Sequence, residues 1–323
     1  MRTERLNALN PADLQRAGEL LIAGELVAVP TETVYGLAAD ASNPEAVEKI
    51  FSAKQRPRNH PLITHIGSID QLSRWVNVIP DWVAPLAEAF WPGPLTLIFE
   101  RHPSVSDVIT GGLPSIAIRM PDHPVLLSLQ QQFNIAVAAP SANLHKKLSP
   151  TSAEQVLSGL DGRIAAVLDG GICSVGTEST ILRISENQAE ILRSGPLSAR
   201  DFQPYLPFSV ITPECHQEAI SGNMKVHYQP NAKVVICAAA SLATQFYAEP
   251  EATGILGYSA QMENIHCQHK LILPNNHQGY RQALYASLYA LDLKGIKTLL
   301  VEAPPRLEEW ADIWDRLNRA AAE

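Results

Sequence analysis

Leu26-Val27-Ala28-Val29-Pro30-Thr31-Glu32-Thr33-Val34-Tyr35-Gly36 sets a short apolar run directly against a loop of hydroxyls, a carboxylate and a phenol. The apolar part has a strand's length and is too short for a helix. In open α/β sheets, ligands collect where strands end. Outward from this stretch, Asn10-Pro11 opens a helix that Gly24 closes, and Asn43-Pro44 repeats the start signal ahead of the helically spaced EAVEKIFSAK. Further strands are predicted at 61–66, 95–99, 115–119, 135–139, 165–168, 180–184 and 189–192, with helices near 68–76, 80–90, 123–132 and 151–159. Strands and helices so interleaved specify an α/β fold. Because the late strands are joined only by loops, the sheet is predicted to be mixed and twisted, with helical cover.

Residues 1–205 read as this first domain. Residues 206–232 lose periodicity and read as an inter-domain linker or lid, containing Val226-His227-Tyr228-Gln229-Pro230. Residues 233–323 read as a smaller Rossmann-like α/β domain. There KVVICAA, TGILGYS, KLILP and KTLLVEA are strands, and Leu284, Leu288 and Leu291 share a helix face.

The net charge of −8 and the lack of interleaved aromatic and basic residues argue against broad nucleic-acid binding. No apolar run is long enough to span a membrane, and the N-terminus lacks a secretory signal. Cys173, Cys215, Cys237 and Cys267 have no paired spacing and read as reduced thiols of a cytoplasmic protein. His266-Cys267-x-His269 offers metal-ligand types in a spacing that fits no standard zinc site, so no metal is assigned to protein side chains.

Phosphate-loop, dinucleotide-fingerprint, nucleophile-elbow and zinc-helix signatures are missing. Polar loops at strand ends remain. Lys54-x-Arg56-Pro-Arg58-Asn59-His60, followed by Thr64-His65, offers rigidified cations suited to a small anionic ligand. Thr110 to Ser115 leads into Arg119, a cation in an apolar strand that must meet an anion, either a ligand or one of the chain's own acids. Ala139-Pro140-Ser141-Ala142-Asn143, Ser149-Pro150-Thr151, Thr177-Glu178-Ser179 and Arg193-Ser194-Gly195 complete the set.

In these same loops the chain resembles the YrdC-like threonylcarbamoyl-AMP synthase family. The resemblance runs in order through PTETVYGL, AKQRPRNHPL, FWPGPLTLIF, SIAIRMPDHP, VAAPSAN, SPTSAEQV, DGG, GTESTI and LRSGP, over roughly residues 10 to 205. The linker and second domain resemble the family's long two-domain form.

The resemblance implies a nucleotidyltransferase that condenses L-threonine, bicarbonate and ATP, with magnesium, to threonylcarbamoyl-adenylate for tRNA modification. It places Thr33, His65, Arg119, Ala139 and Ser179 on L-threonine. It places Arg56, Ser115, Ser141, Asn143, Ser149, Arg193 and Tyr228 on ATP, with Lys54 and His60 beside the phosphates. Lys54 and Arg56 would position the substrates, and no catalytic base is assigned. His60 stands where related sequences carry asparagine. Implied partners are a downstream tRNA-modifying transferase complex and tRNA itself, with the chain a monomer. The rival readings are a non-catalytic nucleotide- or RNA-binding module and a carbamoyl-transferring enzyme. The latter usually carries cysteine pairs that are absent here.

Overall fold

A computed structural model describes residues 2–185, 188–212 and 226–322. Cys215 and the middle of the stretch read as a linker, residues 213–225, lie outside them. Backbone contacts divide the chain into two compact units. The first comprises 1–145, 150–174 and 178–223; the second comprises 146–149, 175–177 and 224–323.

The strands of the first unit are β1 (Glu4–Asn7), β2 (Val27–Val29), β3 (Gly36–Asp40), β4 (Ile63–His65), β5 (Leu95–Glu100) and β6 (Ser115–Arg119). They continue with β7 (Val137–Ala138), β8 (Ala166–Asp169), β9 (Thr180–Ser185), β10 (Gln188–Arg193) and β11 (Val210–Ile211). Among the described residues they form one sheet in the order β1-β8-β2-β3-β7-β4-β6-β5-β9-β10-β11. The sheet is mixed, as the loop-joined late strands imply: β4 pairs parallel to β6, whereas β5 pairs antiparallel to β6.

Neighbouring residues of β2 and β3 enter different cores. Ala28, Leu37 and Ala39 pack with one cluster, and Val27, Val29 and Ala38 with another. Covered on both faces, β2 is continuously apolar rather than alternating. The helices begin where the caps predict. Asn10 accepts from the Ala12 amide ahead of helix Pro11–Ile22, and Asn43 accepts from Glu45 and Ala46 ahead of helix Pro44–Lys54.

Three strands escape the sequence reading. β1 pairs parallel to β8 along a charged segment, β3 returns antiparallel to β2 directly after the polar loop, and β11 runs parallel to β10. The ordered sheet therefore extends past residue 205.

In the second unit, β12 (Lys233–Cys237), β13 (Thr253–Gly257), β14 (Lys270–Ile272) and β15 (Thr298–Glu302) form a parallel sheet in the order β12-β15-β13-β14. Helix His277–Asp292 buries Leu284, Leu288 and Leu291 on the predicted face.

Candidate functional site

Strand register brings the predicted residues together. His65 of β4 and Thr96 of β5 both lie opposite Arg119 of β6, so the three side chains share one face of the sheet. Ser179, just before β9, meets Thr96 through a 2.7 Å hydroxyl contact. Arg193, at the end of β10, donates to the Ser179 carbonyl from Nε at 3.0 Å and from Nη2 at 2.9 Å, and to Oγ at 3.0 Å. All five are buried. This is a polar island inside a double-faced apolar sheet.

Arg119 organises the island. Its Nε donates to the Gly93 carbonyl at 3.2 Å and its Nη1 to Thr33 Oγ1 at 2.9 Å. Thr31 donates to the Val34 carbonyl at 2.6 Å, so in the 2.8 Å contact between the two threonines Thr33 must be the donor. Donation thus runs one way, from Arg119 through Thr33 and Thr31 to the backbone. The sequence demands an anion for Arg119, and the structure supplies an internal one: Glu32 Oε2 lies 2.5 Å from Nη2, with both side chains buried. The contact is an ion pair without hydrogen-bond alignment. Among the described residues Nη2 and both Glu32 oxygens lack an aligned hydrogen-bond partner.

Burial, with Arg119 and then Arg193 adding to it, pushes the His65 pKa down to about 3. The imidazole is therefore neutral at ordinary pH. Its Nδ1 lies 3.3 Å from the Ile63 carbonyl, which can only accept, so the proton sits there and Nε2 is an acceptor. Ala139 donates its amide to the same carbonyl at 3.1 Å. The Cys173 thiol is pushed up to about 12 by burial and stays protonated, unfit as a nucleophile.

Lys54 is fully buried at the end of its helix. Its ammonium donates to the Ser141 carbonyl and, at 2.6 Å, to that of Asn143, clamping the loop after β7. Burial, then the charge of Arg56, lowers its pKa well below the usual lysine value. Arg56 donates to the Pro61 carbonyl at 3.1 Å, and the His60 ring lies 5.4 Å from that of His145. Arg58 is exposed and pairs with Glu48 at 3.0 Å. Ser115 opens β6 and Ser141 bridges to Gly36; both are half-buried.

Ser149 and Tyr228 belong to the second unit. Tyr228 is buried at a left-handed φ of 58°, unusual for a bulky residue. Its ring lies 5.7 Å from that of Tyr285, with the Arg316 guanidinium 5.2 Å away. Cys267 reaches toward the Thr253 carbonyl at 3.8 Å. Among the described residues no group of three or more His, Cys, Asp or Glu is placed to hold a metal ion.

The sequence reading noted Glu32 as a loop carboxylate without foreseeing its pairing. It missed Thr96, Gln130 and His123 altogether. Gln130 is buried and donates to the His65 carbonyl at 2.7 Å, fixing the end of β4. Thr96 carried the same signal as Arg119, a polar residue inside an apolar strand.

Residues 19–195 match the Sua5, YciO and YrdC family described as "Telomere recombination", and residues 188–322 match "Threonylcarbamoyl-AMP synthase, C-terminal domain". The threonylcarbamoyl-AMP synthase of Pyrococcus abyssi (strain GE5 / Orsay) is 34% identical over 312 residues, 92% of this chain and 91% of that protein. The chain belongs to the threonylcarbamoyl-AMP synthase family. The Bacillus subtilis (strain 168) member is 43% identical over 240 residues, 73% of this chain and 69% of the relative. The crystal structure of P. abyssi Sua5 complexed with L-threonine superposes with a TM-score of 0.91 at 31% identity, covering 99% of this chain and 98% of that one. The two family matches together span 19–322, so the chain has the two-domain form of the family.

Proposed function

We propose that the chain condenses L-threonine with bicarbonate and ATP to give threonylcarbamoyl-adenylate and pyrophosphate, the activated group for threonylcarbamoyl modification of tRNA adenosine. The observation that carries this reading is the buried island of Thr33, His65, Arg119, Ser179 and Arg193. It is rich in donors, its histidine is neutral, and the buried Cys173 thiol stays protonated, so neither is an activated nucleophile.

The chemistry needs no protein nucleophile. The threonine amine condenses with bicarbonate to a carbamate, losing water. A carbamate oxygen then attacks the α-phosphorus, and the α–β bridging bond breaks as pyrophosphate leaves. The chain's part is to position the reactants and neutralise charge. Thr33, His65, Arg119, Ser179 and the backbone at Ala139 are assigned to threonine. Arg56, Ser115, Arg193 and Ser141, the last on the loop that Lys54 clamps, are assigned to the nucleotide, with Lys54, His60, Asn143, Ser149 and Tyr228 as further nucleotide contacts. The described residues supply no carboxylate cage for magnesium, so the ion is expected to arrive with the triphosphate, keeping most of its water. A transferase acting on tRNA would consume the adenylate, a role consistent with a cytoplasmic enzyme.

The test is mass spectrometry of products together with pyrophosphate release. Pyrophosphate should require both threonine and bicarbonate, and threonylcarbamoyl-adenylate should accumulate. A nucleotide-binding module would bind ATP without releasing pyrophosphate. Equal release without threonine would sink the proposal.

A further inference from the structure

The Arg119–Glu32 pair is buried and incomplete. Of the five guanidinium N–H groups, one on Nε and one on Nη1 are committed to Gly93 and Thr33. Both on Nη2 lack aligned acceptors among the described residues, and so do both oxygens of Glu32, although the two groups touch at 2.5 Å. A buried carboxylate left without hydrogen bonds is costly, and a buried ion pair repays its desolvation only when its remaining donors and acceptors are filled. Apolar side chains would stabilise the fold better. The pair therefore has the character of a receptor with open valences of both signs: N–H groups facing an anion and carboxylate oxygens facing a cation.

Half-buried His123 also feels the charge of Glu32. Its buried Nδ1 lacks a hydrogen-bond partner among the described residues. Burial lowers its pKa, against the opposing pull of Glu32 and Asp122.

We propose that Glu32 receives the ammonium group of the amino-acid substrate while Arg119 takes its carboxylate, so that the pair reads a zwitterion rather than an anion. This rests on the assignment of threonine to the island and deepens it. A zwitterion brings no net charge into a buried site. It fills the open donors and acceptors of both partners at once, which a carboxylate alone does not. The same contact holds the amine, the atom that must meet bicarbonate, at a fixed place relative to the anchored carboxylate.

The test is calorimetric titration of the full chain with L-threonine and with 3-hydroxybutyrate, which keeps the carboxylate and hydroxyl but lacks the amine. The wild-type chain should bind threonine at least about tenfold more tightly, the value of one charge-assisted contact. In Glu32→Gln, threonine should weaken by about tenfold, while 3-hydroxybutyrate binds unchanged or better, because the internal competitor for Arg119 is gone. In Arg119→Gln both ligands should be lost. Equal wild-type affinities, or full preference for threonine in a folded Glu32→Gln chain, would overturn the assignment of Glu32 and leave the functional proposal standing. A wild-type chain that binds neither ligand overturns both. Equal wild-type affinities overturn the proposal even if the variants fail to fold, which thermal melting would reveal.

Discussion

Beside two arginines, His65 is held uncharged by burial, and this has a thermodynamic consequence with a definite sign. An unfolded histidine takes its proton near pH 6.5, whereas folded His65 resists it until about 3. Between those values the unfolded chain binds more protons, so this residue makes stability fall as pH falls. The slope approaches about 1.4 kcal/mol per pH unit at most. Denaturant melts from pH 7 down to pH 4 should therefore show a steeper acid loss in the wild type than in His65→Gln, even though the variant starts less stable. Parallel profiles would mean that His65 is protonated in the folded chain. The expected neutrality also fits the proposed role: with Nδ1 tied to Ile63, Nε2 can only accept, a fit for a substrate hydroxyl or amine.

At the scale of elements, the turn after β10 decides how Ser179 is held. A β-carbon on Gly195 would lie 2.3 Å from the Thr180 nitrogen and 2.6 Å from the Ser179 carbonyl carbon, and both are backbone atoms that cannot swing aside. Gly195→Ala should cost about 1–3 kcal/mol and reduce synthesis by displacing Ser179 from Arg193. Gly159, inside helix Ala153–Leu160, has open space around it. Gly159→Ala should therefore be neutral or stabilising by up to about 1 kcal/mol. Equal melting temperatures for the two variants would refute the packing argument. The same elements show what the sequence carried. Helix starts were legible because Asn-Pro caps act locally, and buried strands because their apolar runs are continuous. Arg119 was legible as a cation needing an anion, but its partner was not. Glu32 lies 87 positions away in sequence, and only the β2–β3 turn, itself unread as a hairpin, brings it there. β1 and β11 were missed because edge strands need bury little, leaving no periodic apolar signature.

Across the whole molecule, the division into two units does not follow the order of the chain. Residues 146–149 and 175–177 cluster with 224–323. Gln229 donates its amide to the Lys146 carbonyl at 2.9 Å, Lys147 donates to Asn231 at 2.7 Å, and Thr177 donates to Asp312 at 2.9 Å. The two loops so held are the ones that follow Asn143 and precede Ser179. A chain ending at residue 212 keeps every described strand of the large sheet and the apolar clusters packed on it. It should therefore fold, with a cooperative melt. It also loses each of those hydrogen-bond partners, together with Tyr228. A reactive adenylate needs well-positioned loops and exclusion of water, and these loops would be set free next to residues assigned to both substrates. The shortened chain should thus bind ATP more weakly and turn over more slowly, and more of the threonine-dependent ATP cleavage should end as free AMP than as adenylate. Pyrophosphate release measured beside mass-spectrometric yield separates the two effects. Undiminished affinity and yield would show that residues 224–323 are dispensable to the chemistry and that the 146–149 and 175–177 loops hold their places without them.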